Sequence, residues 1–317
     1  MSDVRVGVVG VGHLGRHHAR LLAGASGARL VAVSDLSEER AQAAASTTGA
    51  TAFTDYRKLI GQVDAVSIAV PTVDHVTVAR EFLEAGVHVL VEKPMTTTLA
   101  EAEALIALAE RVGRVLAVGH TERFNPAVAA AIPLVTHPRF IEVHRLSGFP
   151  ERSLDIDVVF DVMIHDLDII LAIDPSEVVS VEAVGVPVLS PKVDIANARL
   201  KLASGCTVNL TASRISRDKV RKVRFFQPHM YVSVDYGDQE LDVWRIVPQP
   251  EGRPKIEGGP VPVEKGEPLG RELQDFVDAV RTGRAPRVTG RDGRRALELA
   301  TRVATAIEEN ENGAPQS

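Results

Sequence analysis

Three features that often identify a class of protein are scarce in this sequence: cysteine, long apolar runs and an excess of basic residues. Its single cysteine, Cys206, cannot form a disulfide within the chain, and the strand-like pattern after it predicts a packed thiol rather than a nucleophile. No apolar run approaches the roughly 18 residues of a membrane-spanning helix. The 36 basic residues are outnumbered by 42 acidic ones, and a net charge of −6 argues against nucleic acid and membrane surfaces as partners.

What the sequence does contain is the composition of an ordinary globular protein. Hydrophobic residues make up 45% of the chain and charged residues 25%. The length of 317 residues is about twice that of a typical domain, so we expect two domains. The chain enters its first predicted strand almost at once, without the apolar segment of a signal peptide, and we therefore expect a cytoplasmic protein.

A glycine-rich turn follows the first predicted strand, residues 4–9. The turn is Gly10-Val11-Gly12-His13-Leu14-Gly15; it opens a predicted helix, and the next predicted strand ends at Asp35. In this context the glycines let the backbone approach a pyrophosphate, the helix N-terminus offers free N–H groups, and the acid binds the adenosine ribose. Because an acid at this position repels a 2′-phosphate, we expect NAD rather than NADP, although Arg40 lies nearby in the sequence.

Apolar strands and helices alternate through the first part of the chain. Further strands are predicted at residues 29–34, 64–70, 87–91 and 115–118, and helices at 17–25, 76–85 and 99–112. Repeated strand–helix units predict an α/β fold with a doubly wound parallel sheet, and we assign residues 1–122 to an NAD-binding Rossmann domain. Ligands bind at the carboxyl edge of such a sheet.

The strand at residues 87–91 ends in Glu92-Lys93-Pro94. One interpretation is a solvated ion pair between Glu92 and Lys93 at a strand end, with Pro94 as the residue that stops the strand. The other is that Lys93 is a functional cation at the ligand-binding edge. This tripeptide alone does not decide between the two.

The pattern changes after residue 122. Strands are predicted at 140–146, 178–188, 196–202, 207–213, 220–226, 231–236 and 240–247, with a loop at 248–268 and helices at 157–173, 269–282 and 291–309. Consecutive strands with short turns indicate a mostly antiparallel open sheet, so we assign residues 123–317 to an α+β domain for substrate binding and oligomerisation. The open face of this sheet can pack against a second copy, and we expect a homodimer or homotetramer.

The predicted helix at 157–173 is apolar on most sides but carries one polar stripe. Asp161, His165 and Asp168 are spaced by four and three residues, which places them on one helical face. Charged groups on a buried helix are costly unless they are paired or face a wet cavity, so the stripe is expected to border a substrate pocket. The alternative is a core histidine that is held by Asp161.

Three residues near element boundaries have two interpretations each. Asn125 before Pro126 suits the cap of a helix that begins with proline, and it is also a candidate substrate ligand. Arg123 is either a surface arginine or a bidentate ligand of phosphate or sugar oxygens. Arg214, at a predicted strand end, is either an exposed structural arginine or a ligand of substrate phosphates.

Several of these motifs together resemble the Gfo/Idh/MocA family of NAD(P)-dependent oxidoreductases. The resemblance is carried by the turn at 10–15, by Val70-Pro71-Thr72-Val73-Asp74-His75, by Val91-Glu92-Lys93-Pro94 and by the Asp161/His165 spacing. It implies dehydrogenation of a sugar, inositol or nucleotide sugar, with Lys93 where nicotinamide and substrate meet and a cis Lys93–Pro94 bond. It also implies cofactor contacts from the second and third of these motifs, at Val70, Pro71, His75 and Glu92.

The string Arg123-Phe124-Asn125-Pro126 is most similar to a branch of that family that oxidises the 3-hydroxyl of UDP-N-acetylglucosamine before an aminotransferase acts, in lipid A or surface-glycan synthesis. We expect His165 to be the general base, Asp161 to orient it, and Lys93 to polarise the alcohol or relay the proton. Lys93 as the base is the rival assignment. An inositol or free-sugar dehydrogenase and a non-enzymatic NAD-binding sensor are alternative functions. No metal is expected, since no carboxylate–histidine cluster indicates one.

Overall fold

The chain forms two compact units. The structure is a computed structural model that describes residues 2–149, 156–249 and 253–313. The first unit contains Met1–Phe124 and Glu267–Arg295, and the second contains Asn125–Gly266 and Ala296–Ser317. The prediction assigned every residue from 123 onward to the second domain; the structure differs from it chiefly in Glu267–Arg295, which packs with the first unit.

The first unit contains a six-stranded parallel sheet with the strand order β3-β2-β1-β4-β5-β6. The order reverses beside β1, and this is where ligands bind in doubly wound sheets. Its elements are β1 Val4–Val9, α1 Gly15–Ala23, β2 Ala28–Ser34, α2 Glu38–Thr48, β3 Thr51–Phe53, β4 Ala65–Ile68, α3 Thr72–Glu84, β5 His88–Glu92, α4 Leu99–Val112, β6 Leu116–Gly119 and α7 Pro268–Thr282.

The sequence of the first unit explains its layers. Strands β1, β4 and β5 are buried almost throughout, as apolar strands covered on both faces should be. Helix α7 buries its apolar face, which includes Phe276, in one cluster with Val6 and Leu22. This packing explains why α7 belongs with the first unit. Helix α4 begins at a capping box, in which Thr98 and Glu101 satisfy each other's backbone N–H groups.

The second unit contains an eight-stranded sheet with the order β14-β13-β12-β11-β7-β10-β9-β8. Among the described strands of this sheet, β7 and β10 pair in parallel, and the other pairings are antiparallel. Its elements are α5 Pro126–Ala131, β7 Phe140–Leu146, α6 Ile164–Ile173, β8 Val178–Val186, β9 Ile195–Leu202, β10 Thr207–Ser213, β11 Val220–Gln227, β12 Met230–Asp235, β13 Glu240–Val247, β14 Lys255–Val261 and, from Ala296 onward, helix α8 Gly290–Gly313. The predicted fold class is confirmed.

Three local predictions need correction. The helix predicted at 157–173 is a π-helical turn, Val159–Met163, followed by α6, so Asp161 and His165 are not one regular α-helical turn apart. The loop predicted at 248–268 contains the edge strand β14. Helix α2 and strand β3 were not predicted. Among the helices of the described residues, none combines the length and apolar character that crossing a membrane requires.

Candidate active site

The glycine turn after β1 has the geometry that a dinucleotide requires. Gly10 has a φ of +81°, and a Cβ there would lie 2.6 Å from the Ala69 carbonyl oxygen; a Cβ on Gly15 would overlap the Gly10 carbonyl oxygen. A Cβ on Gly12 would meet no protein atom within 4 Å, so this glycine faces open space. His13 and Leu14 beside it are exposed, and within the described residues no side chain caps α1. The turn therefore fits a pyrophosphate.

Asp35 lies at the end of β2, where the predicted ribose ligand should be. Its carboxylate accepts the backbone N–H groups of Val11, at 3.0 Å, and Ser37, at 2.9 Å, and the guanidinium of Arg40 donates to it at 2.7 Å. Burial tends to raise the pKa of Asp35, but the bonds from Arg40, Ser37 and Val11 outweigh it and lower the pKa below its ordinary value. The carboxylate is therefore an anion with an arginine beside it.

His75 was predicted to contact the cofactor, and that role stays a prediction. The ring is buried in α3, with Nδ1 at 2.9 Å from the Pro94 carbonyl oxygen and Nε2 at 3.0 Å from the Val70 carbonyl oxygen. Burial lowers the pKa of His75, so the ring is neutral and its single N–H can donate to only one of these two carbonyl oxygens. Val70 and the exposed Pro71 lie in the turn that follows β4, where a role in cofactor binding stays a prediction.

Glu92 ends β5 inside the first unit, so the interpretation of a solvated Glu92–Lys93 pair is wrong. Its carboxylate is 6% exposed and lies 3.2 Å from Nε2 of His18. It also accepts the backbone N–H of Lys93 at 3.2 Å. The carboxylate is thus turned toward the interior of the first unit, and a role of Glu92 in cofactor binding stays a prediction. Lys93 itself is half-buried and is followed by the cis Lys93–Pro94 bond that the resemblance implied.

The edge after β6 contributes a buried histidine and a buried arginine. Burial, together with the positive charges of Arg123 and Lys93, lowers the pKa of His120 to about 3, so its ring is neutral. Arg123 lies within the first unit with its guanidinium 3.4 Å from the Asp292 carboxylate. The interpretation of Arg123 as a surface arginine is therefore wrong, and its role as a substrate ligand stays a prediction.

In the second unit, the segment that carries the polar stripe begins with the π-helical turn. Asp161 lies in that turn and His165 in the first turn of α6, and both are partly exposed. Asp168, one α-helical turn after His165, is buried. π-Helical turns recur at functional sites because they change the direction of a side chain within a helix. Of the three predicted residues, Asp161 and His165 are the ones that solvent reaches.

Two buried ion pairs hold this segment in place. Arg145, on β7, donates two hydrogen bonds to the Asp166 carboxylate at 2.7 and 2.9 Å. Arg214 donates to Asp194 at 2.8 Å and to the carbonyl oxygen of Ile156 at 2.6 Å. Bidentate and charge-assisted bonds of this kind restrict both rotation and translation of the segment.

Arg214 and Asn125 are held by structural contacts. Arg214 is buried, so the interpretation as an exposed arginine is wrong, and the Asp194 carboxylate already occupies the guanidinium that was to bind substrate phosphates. Asn125 caps α5, since its Oδ1 accepts the N–H of Ala127 at 3.1 Å while its Nδ2 donates to the Tyr236 carbonyl oxygen at 2.9 Å. The cap interpretation is confirmed. Substrate binding by Arg214 and Asn125 stays a prediction.

Cys206 is the packed thiol that the sequence predicted. It is buried in the turn that precedes β10, and burial raises the pKa of its thiol to about 12. A thiol that stays protonated at neutral pH is a poor nucleophile.

The structure brings the first-unit candidates to one edge. The glycine turn, Asp35 and Lys93 follow β1, β2 and β5, which are parallel strands of a single sheet. Asp161 and His165 lie together in the second unit. Sequence reasoning missed His18, His120 and the Arg145–Asp166 pair. The helical spacing of His18 from the last glycine of the turn was a usable signal, whereas the other contacts join residues far apart in the chain.

Comparisons with known proteins agree with this geometry. The family model GFO_IDH_MocA, described as "Oxidoreductase family, NAD-binding Rossmann fold", matches residues 4–120. UDP-N-acetylglucosamine 3-dehydrogenase from Acidithiobacillus ferrooxidans is 41% identical over 310 residues, which cover 97% of this chain and 98% of that relative. Scyllo-inositol 2-dehydrogenase (NAD(+)) from Bacillus subtilis is 28% identical over 341 residues, with 99% and 96% covered.

A solved structure extends the likeness to three dimensions. That of UDP-N-acetylglucosamine 3-dehydrogenase from A. ferrooxidans has a TM-score of 0.91 and 40% identity, and the match covers 98% of this chain and 99% of the other. Identity of this extent along almost the full length of both chains covers the two units alike. The chain therefore belongs to the Gfo/Idh/MocA family of oxidoreductases with an NAD-binding Rossmann fold.

Proposed function

We propose that this protein is an NAD-dependent dehydrogenase that oxidises the 3-hydroxyl of a UDP-N-acetylhexosamine. The observation that carries the proposal is the 41% identity, over 97% of the chain, to a UDP-N-acetylglucosamine 3-dehydrogenase. The glycine turn would bind the pyrophosphate and Asp35 the adenosine ribose. Bound NAD supplies the hydride acceptor. The substrate loses a hydride from C3 and a proton from the attached oxygen, which leaves a 3-keto sugar.

Two side chains are proposed to act on the reacting hydroxyl. The His165 imidazole accepts its proton, because an imidazole titrates close to neutral pH. Asp161 orients the ring and stabilises its charged form. The Lys93 ammonium polarises the alcohol oxygen and stabilises negative charge that develops there. Support for these roles comes from the partial exposure of all three residues and from the motifs in which they lie.

NAD is proposed over NADP because the Asp35 carboxylate is ionised where a 2′-phosphate would have to lie. Arg40 reduces that repulsion, since its guanidinium is 2.7 Å from the same carboxylate. We therefore propose a preference for NAD rather than an absolute requirement.

A second candidate is an inositol dehydrogenase, which is favoured by the 28% identity to scyllo-inositol 2-dehydrogenase. The test measures NADH formation with UDP-N-acetylglucosamine, free N-acetylglucosamine, myo-inositol and scyllo-inositol, using Lys93→Met as the inactive control. We expect turnover of the UDP-sugar. Turnover of the inositols alone would replace the proposal, and bound NAD without turnover of any alcohol would favour a non-enzymatic NAD-binding protein.

The partners follow from the proposed chemistry. A 3-keto sugar is the kind of carbonyl compound that an aminotransferase converts to an amine, so we propose an aminotransferase of lipid A or surface-glycan synthesis as the next enzyme. The open face of the second sheet is proposed to form a homodimer or homotetramer. It carries a row of aromatic rings, with centroids 5.6 Å apart for Phe140 and Phe226 and 5.2 Å apart for Phe226 and Tyr231. We also propose that the enzyme works in the cytoplasm.

A further inference from the structure

Lys93 lies between two residues that are each held by a buried histidine. On one side, the Glu92 carboxylate lies 3.2 Å from Nε2 of His18, on α1. On the other side, the Pro94 carbonyl oxygen lies 2.9 Å from Nδ1 of His75, on α3. Both rings are 1% exposed. Water therefore does not compete for these contacts, and each of them fixes one end of the segment 92–94.

The second nitrogen of each ring lies close to the neighbouring strand. Nδ1 of His18 lies 2.7 Å from the hydroxyl oxygen of Ser67, in β4. Nε2 of His75 lies 3.0 Å from the carbonyl oxygen of Val70, just after β4. His18 thus connects the Lys93 turn to the central sheet from α1. His75 holds the same turn from α3, where the one N–H of its neutral ring is assigned to Nδ1 and the Pro94 carbonyl oxygen.

The Glu92 contact is charge-assisted. Burial alone raises the pKa of Glu92, but the close contact with His18 and the charge of Lys93 outweigh burial and lower the pKa below its ordinary value. The carboxylate is therefore ionised inside the protein. His18 Nε2 and Glu92 Oε1 lie 3.2 Å apart without the geometry of a hydrogen bond, so His18 holds Glu92 by a close electrostatic contact in a site from which water is excluded.

We infer that His18 and His75 are positioning residues for Lys93, which set the place of its ammonium by fixing Glu92 and Pro94. This inference rests on the proposed function, in which Lys93 contacts the reacting hydroxyl. Misplacing a group by about 1 Å can reduce a reaction rate roughly 100-fold. Releasing one neighbour of Lys93 is expected to act in this way, while leaving the glycine turn and Asp35 able to bind NAD.

Substitution by asparagine or glutamine can test the contacts of the two ring nitrogens one at a time. The amide of asparagine occupies the place of Nδ1, and the amide of glutamine occupies the place of Nε2. His75→Asn therefore keeps a donor to the Pro94 carbonyl oxygen and loses the contact with Val70, whereas His75→Gln loses the donor to Pro94 and keeps the contact with Val70. At His18 the pattern is opposite, because His18→Gln keeps a donor beside the Glu92 carboxylate and His18→Asn keeps only the contact with Ser67.

The inference predicts a crossed pattern of kcat with UDP-N-acetylglucosamine. His75→Asn and His18→Gln are expected to stay within about fivefold of the wild type, and His75→Gln and His18→Asn to fall on the order of 100-fold. The Kd for NAD should change little in all four variants. His88→Asn is the matched control, since His88 lies at the start of the same strand and its Nδ1 accepts the Val115 N–H at 2.9 Å.

Equal losses of kcat for the two variants at both positions, with unchanged thermal unfolding midpoints, would overturn the inference. A variant that fails to fold at one position leaves the pair at the other position to decide. A second readout does not need turnover: the rate at which an acylating reagent modifies Lys93 in the NAD complex, measured by peptide mass spectrometry. This rate should follow the same crossed pattern. If the wild type oxidises no UDP-sugar, the proposed function fails, and the acylation rates still decide the positioning role.

Discussion

At the scale of single residues, burial determines the charge of His120. Its pKa is lowered to about 3, whereas a histidine in an unfolded chain titrates near 6.5. Between these two values the unfolded chain binds a proton that the folded chain does not bind. The contribution of His120 to stability is therefore fully present above about pH 6.5 and is lost as the pH falls toward 3.

This linkage predicts how stability responds to acid. As the pH falls below 6.5, the unfolding free energy of the wild type should fall more steeply than that of His120→Asn. The difference in slope should be up to about 1.4 kcal/mol per pH unit, which is the effect of one proton. Urea unfolding of the wild type and the variant at several pH values between about 7 and 5 measures it. His137→Asn, at an exposed histidine, is the control. Parallel pH profiles for wild type and His120→Asn would show that the His120 ring is not held neutral.

The assignment of the general base is also decided at single residues. If His165 is the base, His165→Ala should lower kcat by about 10²–10⁴-fold and remove the acidic limb of the pH–rate profile. Lys93→Ala should also lower kcat, because the alcohol oxygen is no longer polarised, but it should keep that limb. Steady-state kinetics with UDP-N-acetylglucosamine over a range of pH measures both. Near-normal turnover of His165→Ala beside an inactive Lys93→Ala would make Lys93 the base.

Cofactor preference depends on the contact between Asp35 and Arg40. Asp35→Ser removes the carboxylate that holds the Arg40 guanidinium, which then becomes available to a 2′-phosphate. A hydrogen bond to a charged group contributes about 1.5–3 kcal/mol, so kcat/KM for NADP relative to NAD should rise roughly 10–100-fold. The double variant Asp35→Ser/Arg40→Ala should lose most of this gain. If the double variant gains as much as the single one, Arg40 does not bind the phosphate.

The roles of these residues could be predicted only in part from the sequence. The glycine turn and Asp35 were recognisable because their function depends on local spacing. Glu92 was not, because its ion pair with His18 joins two elements that are distant in the chain. A residue's burial depends on packing across the sheet, so a motif predicts that Lys93 matters without showing what holds it.

At the scale of elements, regular apolar periodicity predicted most strands and helices correctly. The bounds of β7, β10, β13 and α4 match the prediction. Strand β14 was missed because Gly258, Gly259 and Pro260 are typical of a loop. Glycine is required at position 258, because a Cβ there would overlap the Val243 carbonyl oxygen. Pro260 is tolerated because β14 is an edge strand and proline has no N–H group that needs a partner.

We predict that the position of α6 depends on the Arg145–Asp166 pair. Both side chains are buried, and removing one partner leaves an uncompensated charge that costs about 3–5 kcal/mol. Asp166→Asn should therefore lower the free energy of unfolding by an amount in this range. The paired variant Arg145→Met/Asp166→Leu should recover much of the loss. Denaturant unfolding measures all three proteins.

Loss of the Arg145–Asp166 pair should also lower the activity. Since Asp166 follows His165 directly, Asp166→Asn should also lower kcat, whereas Asp242→Asn, at an open-face position of β13, should change neither quantity. A stable, fully active Asp166→Asn protein would show that the ion pair does not hold the helix.

At the scale of the whole molecule, the sequence predicted two domains but not the return of the chain to the first one. Residues 267–295 have an amphipathic pattern that suits either unit, and periodicity does not specify the partner of an apolar face. The packing of Phe276 and Val277 with the first-unit core assigns them to that unit. The fold class could be predicted because strand order and chain direction follow local rules, whereas this contact is set by the complete tertiary structure.

In the proposed homo-oligomer, Trp244 is expected to contribute to the contact between copies. Trp244 lies on the open face of the second sheet, is 45% exposed, and is paired across the strands with Tyr231 in the aromatic row. Buried tryptophans at protein interfaces often contribute 2 kcal/mol or more, so Trp244→Arg should weaken self-association by about 30-fold or more.

Sedimentation velocity over a range of protein concentrations measures this association. The matched control is Val179→Arg, which adds the same charge at an exposed position of the edge strand β8. Because Trp244 is far in sequence from every residue that is proposed to bind NAD, the variant should retain its affinity for NAD even as a monomer. Unchanged association of Trp244→Arg, or equal weakening by Val179→Arg, would show that the aromatic row is not the contact between copies.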